Sequence, residues 1–182
     1  ELASIFPDLR IARLDTDTAR RRSVLKETLT EFRDGRLDVL VGTQMVAKGL
    51  DFPGVKVVGV VSADTGLQLP DFRALERTFA LIVQVSGRAG RVTPDGRVIV
   101  QTVRPETGVI QRAARNESEA FYAEELAVRR QLRFPPFWRL VRLLVRGRSR
   151  ERVEEAAAAA AARARAAGQS GVDVLGPVEC PL

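Results

Sequence analysis

One polar segment of the chain, residues 42–53, combines side chains that suit contact with phosphates. Thr43, Gln44 and Lys48 supply a hydroxyl, an amide and an ammonium group, and Gly49 leaves its backbone N–H open to a partner. Groups of these kinds bind phosphate oxygens in nucleotides and nucleic acids. The alternative is an ordinary loop between two strands, in which Gly49 serves a turn.

A second segment, residues 84–91, ends a helix with two arginines, Arg88 and Arg91. Its glycines allow a partner to approach the backbone closely. Two guanidinium groups at this spacing can hold the oxygens of a phosphoryl group during transfer, which is the role of an arginine finger. The alternative is that both arginines only complement the C-terminal dipole of the helix, which contributes well under ~1 kcal/mol at an exposed site.

Two amphipathic helices are predicted from apolar residues that recur at i, i+4 and i+7. The first ends at Gly35, a residue type that commonly stops a helix, and the second stops near residues 87–90. The apolar positions are Leu25, Leu29 and Phe32 in the first helix, and Leu75, Phe79 and Ile82 in the second.

Four apolar runs predict the strands that alternate with these helices, at residues 11–14, 37–42, 55–61 and 97–102. The second and third are β-branched and have the length expected of strands buried on both faces of a parallel sheet. Such an alternation indicates an open α/β sheet, whose ligands bind in loops beyond the carboxyl ends of the strands. Both polar segments are candidates for such loops.

The pattern changes after about residue 105, where helical segments lead to the Phe-Pro-Pro sequence of residues 134–136. Consecutive prolines must end any helix, so a domain boundary is predicted there. Alternating apolar residues at 141–145 then predict a half-buried antiparallel strand. An Ala-rich helix at residues 151–167 and a strand at 172–175 follow. The chain is therefore predicted to end in an incomplete β-α-β unit.

Composition narrows the class of protein and its partners. With 45% hydrophobic and 29% charged residues, the chain is expected to be a soluble globular protein. No stretch approaches the roughly 20 apolar residues of a membrane span, so the cytoplasm is the expected location. Cys180 is the single cysteine and histidine is absent, which argues against an internal disulfide or a zinc site. The net charge of +6 is compatible with a polyanionic partner.

An arginine-rich stretch after the prolines has two interpretations. It can bind DNA, or it can be a solvated basic face, since Trp138 is the only aromatic residue beside it that is suited to base stacking. Its members are Arg139, Arg142, Arg146, Arg148, Arg150 and Arg152.

The two polar segments, in this order on an α/β frame, resemble the fifth and sixth motifs of superfamily 2 helicases. Other stretches are similar to the primosomal replication-restart helicases, the PriA family, so that the likeness covers nearly the whole chain. It implies a RecA-like helicase C-terminal motor domain at residues 1–116, a helical connector at 117–136 and a partial α+β C-terminal domain at 137–182. The stretches that carry it are residues 13–18, 42–49, 70–77, 132–137 and 176–178.

The resemblance implies an ATP-dependent DNA helicase that moves 3′ to 5′, recognises stalled replication forks and initiates primosome reassembly. The implied partners are forked or single-stranded DNA, a first helicase domain, single-strand-binding protein and primosome proteins. The implied cofactors are ATP and Mg, together with zinc held by cysteine pairs that this sequence does not contain.

The same resemblance implies roles for single residues. Arg88 and Arg91 would reach the ATP phosphates, with Arg91 the better candidate for the finger, and Gln84 would position the attacking water. Gly49 and Asp51 would contact the nucleotide or couple its state to DNA.

Further residues are implied to face DNA or to couple it to the nucleotide. Thr43, Gln44 and Lys48 would face the DNA strand or the cleft between motor domains. The coupling loop of the family after the third strand is resembled by Asp64 and by the segment Asp71-Phe72-Arg73 with Glu76, although Asp71 is equally suited to be the N-cap of a helix.

The sequence contains no Gly-x-x-x-x-Gly-Lys-Ser/Thr and no acidic motif for magnesium, so this chain alone is predicted not to hydrolyse ATP. Two other functions are open. The chain can be a DNA- or protein-binding module without a nucleotide role. It can also belong to another superfamily 2 translocase, against which the segments at residues 134–137 and 176–177 argue.

Overall fold

The computed structural model describes residues 1–15, 22–43, 54–89, 96–168 and 170–179. The chain divides into two compact units, Glu1–Phe137 and Trp138–Leu182. Within the described ranges, no helix is long and apolar enough to cross a bilayer. In chain order the elements are α1 (Leu2–Ile5), β1 (Ile11–Leu14), α2 (Arg22–Arg33), β2 (Val39–Gly42), β3 (Val57–Val60), α3 (Asp64–Leu67), α4 (Ala74–Ala89), β4 (Arg97–Val100), α5 (Gly108–Ala114), α6 (Ser118–Gln131) and α7 (Arg150–Ala166).

The described strands of the first unit form two parallel pairs, which confirms the α/β class. β1 pairs with β2 in the register Ile11↔Val39, and β3 pairs with β4 in the register Val57↔Arg97. The helices predicted from the i, i+4, i+7 pattern are present as α2 and α4. Gly35 follows α2 with a φ of 71°, a backbone conformation that glycine adopts without strain.

The expectation that β3 is buried on both faces was wrong. Val60 and Val100 pack against the core, whereas Val57 is 58% exposed and Ile99, on the same side of the pair, is 60% exposed. The physical reason is that the helices packed on this pair in the described structure cover one side of it. Side chains alternate across a strand, so the uncovered side keeps its apolar residues in solvent.

The core of the first unit lies between α4, α5 and α6. Phe79 and Ile82 of α4 are each 1% exposed, and the Phe79 ring stacks on Phe121 of α6 with the ring centroids 4.0 Å apart. Val109 and Ile110 of α5 complete the contact. Burial of aromatic side chains of this size is among the larger stabilising contributions in a small domain. Helix α4 is therefore firmly held along the side that bears Phe79 and Ile82.

The amino ends of β1 and β2 are joined by an arginine–carboxylate pair. Arg10 Nε donates to Asp38 Oδ2 and Arg10 Nη2 to Asp38 Oδ1, both at 2.8 Å, and the Arg10 backbone N–H also donates to Asp38 Oδ2. The Arg10 side-chain hydrogen bonds, and then its backbone hydrogen bond, lower the pKa of Asp38 from 3.8 to about 2. The pair thus favours the ionised carboxylate in the folded chain.

We expect Asp38→Asn to lower the melting temperature of the chain at pH 7 and to have a smaller effect in acid. Because folding depresses the pKa of Asp38, its contribution to the free energy of unfolding is fully present above the unfolded value of 3.8. That contribution is lost as the pH falls through the folded value of about 2. Thermal melting at several pH values measures this. Asp34→Asn is the control, since the described ion pair of Asp34 is with the nearby Arg36. An equal penalty for Asp38→Asn at pH 2 and pH 7 would contradict the prediction.

The second unit confirms the predicted Ala-rich helix but not the predicted strands. Helix α7 begins after Ser149, whose Oγ accepts a hydrogen bond from the Arg152 backbone N–H at 3.4 Å. In the described part of this unit, neither residues 141–145 nor residues 172–175 form a strand. A strand requires a neighbouring strand for its backbone groups. Apolar residues of both predicted strands are exposed to solvent. Val141 is 85% exposed and Leu175 is 86% exposed.

Candidate functional site

Helix α4 carries the described part of the second polar segment. The helix is described through Ala89, which lies within the stop predicted near residues 87–90. Positions 84 and 88 are four residues apart in this helix, so the backbone places them on one face. Gln84 is half-buried and Val85 beside it is 6% exposed. The helix thus presents the predicted water-positioning residue and one predicted arginine position from an element anchored in the core.

Asp64 connects the carboxyl ends of β3 and β4. Its Oδ1 accepts a hydrogen bond from Thr102 Oγ1 at 2.9 Å, and its Oδ2 accepts one from the Val103 backbone N–H at 3.0 Å. Asp64 is 9% exposed, and the hydrogen bond from Val103 is the main cause that lowers the pKa of its carboxyl group. Thr102 and Val103 were not predicted as partners of Asp64, because they lie 38 and 39 residues away from it in the sequence. Both oxygens of this predicted coupling residue therefore hold the sheet edge together.

The connection after β3 is fixed closely against α4. Ser62 has a φ of 53°, and its hydroxyl lies 2.9 Å from Thr65 Oγ1. A Cβ atom added at Gly66 would lie 2.6 Å from Thr78 Oγ1 of α4, which is closer than packing allows. A larger residue at this position would therefore force the Thr78 side chain to shift where α3 passes α4. This close approach ties the edge that contains Asp64 to the helix that contains Gln84.

Asp71 lies in the turn before α4, and its carboxylate bonds to a backbone N–H that precedes the helix rather than to one within it. Asp71 Oδ1 accepts a hydrogen bond from the Arg73 backbone N–H at 2.9 Å, and its Oδ2 pairs with Arg77 at 2.8 Å. The Arg73 N–H is the main cause that lowers the pKa of Asp71. Arg73 itself is exposed, with its guanidinium carbon 4.9 Å from the Phe72 ring centroid. Asp71 therefore stabilises the turn that opens α4, and Arg73 remains accessible from solvent.

The other predicted site residues are described only in part. Thr43 directly follows β2 and is exposed at the carboxyl end of that strand. The structure thus brings Asp64 to the residues after β4, whereas Thr43 follows the other strand pair. Outside the described residues lie Gln44, Lys48, Gly49, Asp51, Arg91, Cys180 and the side chain of Arg88.

Carboxylates of the described ranges do not form a metal site. Among these residues, no group of three or more His, Cys, Asp or Glu side chains could hold a metal ion. Asp64, at the edge where ligands of α/β sheets bind, already has both oxygens bonded to Thr102 and Val103. Gln84 of α4 carries a side-chain amide, a group that can donate hydrogen bonds to phosphate oxygens.

Two parts of the chain match families of known proteins. Residues 2–93 match the helicase conserved C-terminal domain, and residues 130–182 match the primosomal protein N C-terminal domain. The chain is 50% identical over 177 residues to the replication restart protein PriA of Treponema pallidum, covering 97% of the chain and 27% of that protein. It is 44% identical over 182 residues to the PriA protein of Bacillus subtilis, covering 100% of the chain and 23% of that protein.

A relative with lower sequence identity matches nearly the same length of the chain. The replication restart protein PriA of Borreliella burgdorferi is 35% identical over 179 residues, covering 98% of the chain and 27% of that protein. The chain spans about a quarter of the length of these relatives. The match to a helicase domain agrees with the parallel strand pairs and helices of the first unit. The chain therefore belongs to the family of helicase conserved C-terminal domains and corresponds to a C-terminal part of the PriA replication restart proteins.

Proposed function

We propose that the chain is the second motor domain, with part of the C-terminal domain, of an ATP-dependent DNA helicase. The full-length protein moves 3′ to 5′, recognises stalled replication forks and initiates primosome reassembly. The observation that carries the proposal is α4, a core-anchored helix that places positions 84 and 88 on one face within the segment matched to a helicase domain. The relatives are named replication restart proteins, which supports the role in replication restart.

In this proposal α4 contributes to hydrolysis of the γ-phosphoryl group of ATP. Water attacks the phosphorus while the bond to the ADP oxygen breaks, and charge on the phosphoryl oxygens must be stabilised. Arg91, assisted by Arg88, supplies guanidinium groups that match those oxygens, and Gln84 orients the water. A first motor domain supplies the phosphate loop and the residues that bind Mg.

DNA and the nucleotide are coupled through the loops beyond the strands. Gly49 and Asp51 contact the nucleotide or respond to its state, while Thr43, Gln44 and Lys48 face the DNA strand or the cleft. Polar groups beyond the carboxyl ends of strands are where ligands of α/β sheets bind.

The coupling loop after β3 links this edge to α4. The hydrogen bonds that Asp64 accepts from Thr102 and Val103 fix the conformation of this loop. Arg73, farther along the same connection, is exposed. The partners are forked or single-stranded DNA, single-strand-binding protein and primosome proteins in the cytoplasm.

A DNA-binding module is the second candidate function, favoured by the exposure of the arginine-rich stretch. The arginines from position 139 to position 152 are all exposed. Arg150 pairs with Glu154 at 2.7 Å and with Glu179 at 3.1 Å, so part of this charge is neutralised within the second unit. Exposed pairs contribute little to stability.

Strand displacement by the full-length protein tests the proposed function. With ATP and Mg, we expect it to unwind duplexes that carry a 3′ single-stranded tail and not those with a 5′ tail, because a motor that moves 3′ to 5′ must load on the first. A non-hydrolysable ATP analogue is the control and should abolish unwinding. Equal unwinding from both tails would refute the polarity. Tight DNA binding without ATP turnover would favour the binding-module function.

A further inference from the structure

An arginine of α6 is buried between two carboxylates of different helices. The Arg129 side chain is 10% exposed; its Nε donates to Glu125 Oε1 at 2.9 Å and its Nη2 to Glu76 Oε2 at 2.6 Å. Glu125 lies one turn earlier on α6, whereas Glu76 lies in the first turn of α4. Arg129 therefore joins the start of α4 to the end of α6.

Aromatic rings complete this contact at the start of α4. The Arg129 guanidinium carbon lies 5.1 Å from the centroid of the Phe72 ring, and that ring stacks on Phe134 at 5.4 Å. The Phe134 backbone N–H donates to the Arg129 carbonyl at 2.8 Å. The planar guanidinium can stack on a ring while it donates to both carboxylates, which an ammonium cannot do. The contact thus fixes a direction as well as a distance.

The two carboxylates are held in different surroundings. Glu125 has a side chain 9% exposed, whereas the Glu76 side chain is 38% exposed. Burying a charge costs free energy that only good pairing offsets, and Glu125 supplies that pairing for Arg129 within α6. The bond to Glu76 is therefore an additional one, directed at a different helix.

The start of α4 controls where its far end lies. Position 88 is nine residues beyond Phe79, or about 13.5 Å along an α-helix, so a tilt of about 5° about Phe79 displaces position 88 by about 1.2 Å. The ring of Phe79 packs against Phe121 near the start of α4, so we expect loss of the bond to Glu76 to act as a small tilt about this packed region. Displacements near 1 Å can lower a catalysed rate by ~10²-fold.

We infer that Arg129 is a positioning residue for ATP hydrolysis: through Glu76 it fixes the direction of α4 and so the placement of Gln84. The inference rests on the proposed function. A purely stabilising role for the same contact is the alternative, and kinetic constants distinguish the two.

The test is Glu76→Ala in the full-length protein, which removes the bond between helices but leaves Arg129 paired with Glu125. We expect the kcat of DNA-stimulated ATP hydrolysis to fall about tenfold, because the catalytic groups are displaced. The KM for ATP should change by less than about twofold, since ground-state binding is not altered. Glu76→Gln keeps an acceptor oxygen for Arg129 and should retain an intermediate kcat. Thermal melting of each variant checks that it is folded.

Glu124→Ala is the matched control. Like Glu76→Ala, it removes a carboxylate from a pair with an arginine of another helix, since Glu124 of α6 pairs with Arg112 of α5. It should leave kcat unchanged. Wild-type kcat in Glu76→Ala, with or without a lower melting temperature, would overturn the inference, as would an equal loss of kcat in Glu124→Ala. Absence of DNA-stimulated hydrolysis from the wild-type protein would instead refute the proposed function on which the inference rests.

Discussion

Replacement of Arg91 by alanine in the full-length helicase should lower ATP turnover by a factor on the order of 10³, as loss of an arginine finger does. The guanidinium group stabilises charge that develops on the γ-phosphoryl oxygens in the transition state, so nucleotide affinity should change much less than kcat. Steady-state, DNA-stimulated ATPase measured over a range of ATP concentrations separates the two effects.

Companion variants distinguish a finger from a helix-dipole effect. Arg88→Ala should also impair turnover, and Arg91→Lys should restore it only in part, because an ammonium lacks the planar fork. Arg115→Ala, which removes an exposed arginine after α5, is the control and should leave turnover intact. If Arg91→Ala and Arg91→Lys both turn over ATP at the wild-type rate, Arg91 does not belong to the site.

The isolated 182-residue chain should show no DNA-stimulated ATP hydrolysis above background. It contains residues proposed to contact the transferring phosphoryl group, but no motif that cradles the β and γ phosphates and none that binds Mg. Phosphate release with ATP, Mg and single-stranded DNA measures this, with circular dichroism to verify that the chain is folded.

The positive control for this comparison is the full-length protein purified in the same way, which should hydrolyse ATP. An Arg91→Ala version of the chain identifies contamination, since a contaminating ATPase is insensitive to that substitution. Turnover by the wild-type chain that disappears in the Arg91→Ala chain would show that the chain is active alone and would refute the prediction.

The helical part of the fold was predictable because its signals are local. The spacing of Leu75, Phe79 and Ile82 predicts α4, and Phe79 and Ile82 are buried there, whereas Leu75 is 40% exposed. The Ala-rich sequence of α7 favours a helix by intrinsic propensity alone. Strand positions in the first unit also followed from β-branched runs, and their parallel pairing followed from the alternation with helices.

Coverage of the strands could not be predicted from the same signals. An apolar run states that a side chain is suited to burial, but not whether another element covers it. Four apolar residues of predicted strands are suited to burial and yet are exposed: Val57 of β3, Ile99 of β4, and Val141 and Leu175 of the second unit. Burial depends on which other element packs on the strand, and the sequence pattern of the strand itself does not identify that element.

The candidate site was predictable as a set of residue types and not as a set of contacts. Resemblance to helicase motifs identified Gln84, Arg88 and Arg91, which remain predictions as site residues. It assigned Asp64 to coupling without indicating its bonds to the end of β4, because those bonds depend on the pairing of distant strands. The pair between Glu125 and Arg129 has a visible i,i+4 spacing, but Glu76 is 53 residues away in sequence.

The buried Glu125–Arg129 pair also limits the routes by which this region can evolve. Loss of Arg129 alone leaves a buried carboxylate unpaired, at a cost of about 3–5 kcal/mol, whereas replacing both residues with apolar side chains of similar volume is often neutral or stabilising. Small domains have total stabilities of about 5–15 kcal/mol, so the first single step removes a large part of that stability. A protein with apolar residues at both positions is therefore reached through a single variant of low stability. Descendants of this sequence are expected to retain both charges together or to lose both together.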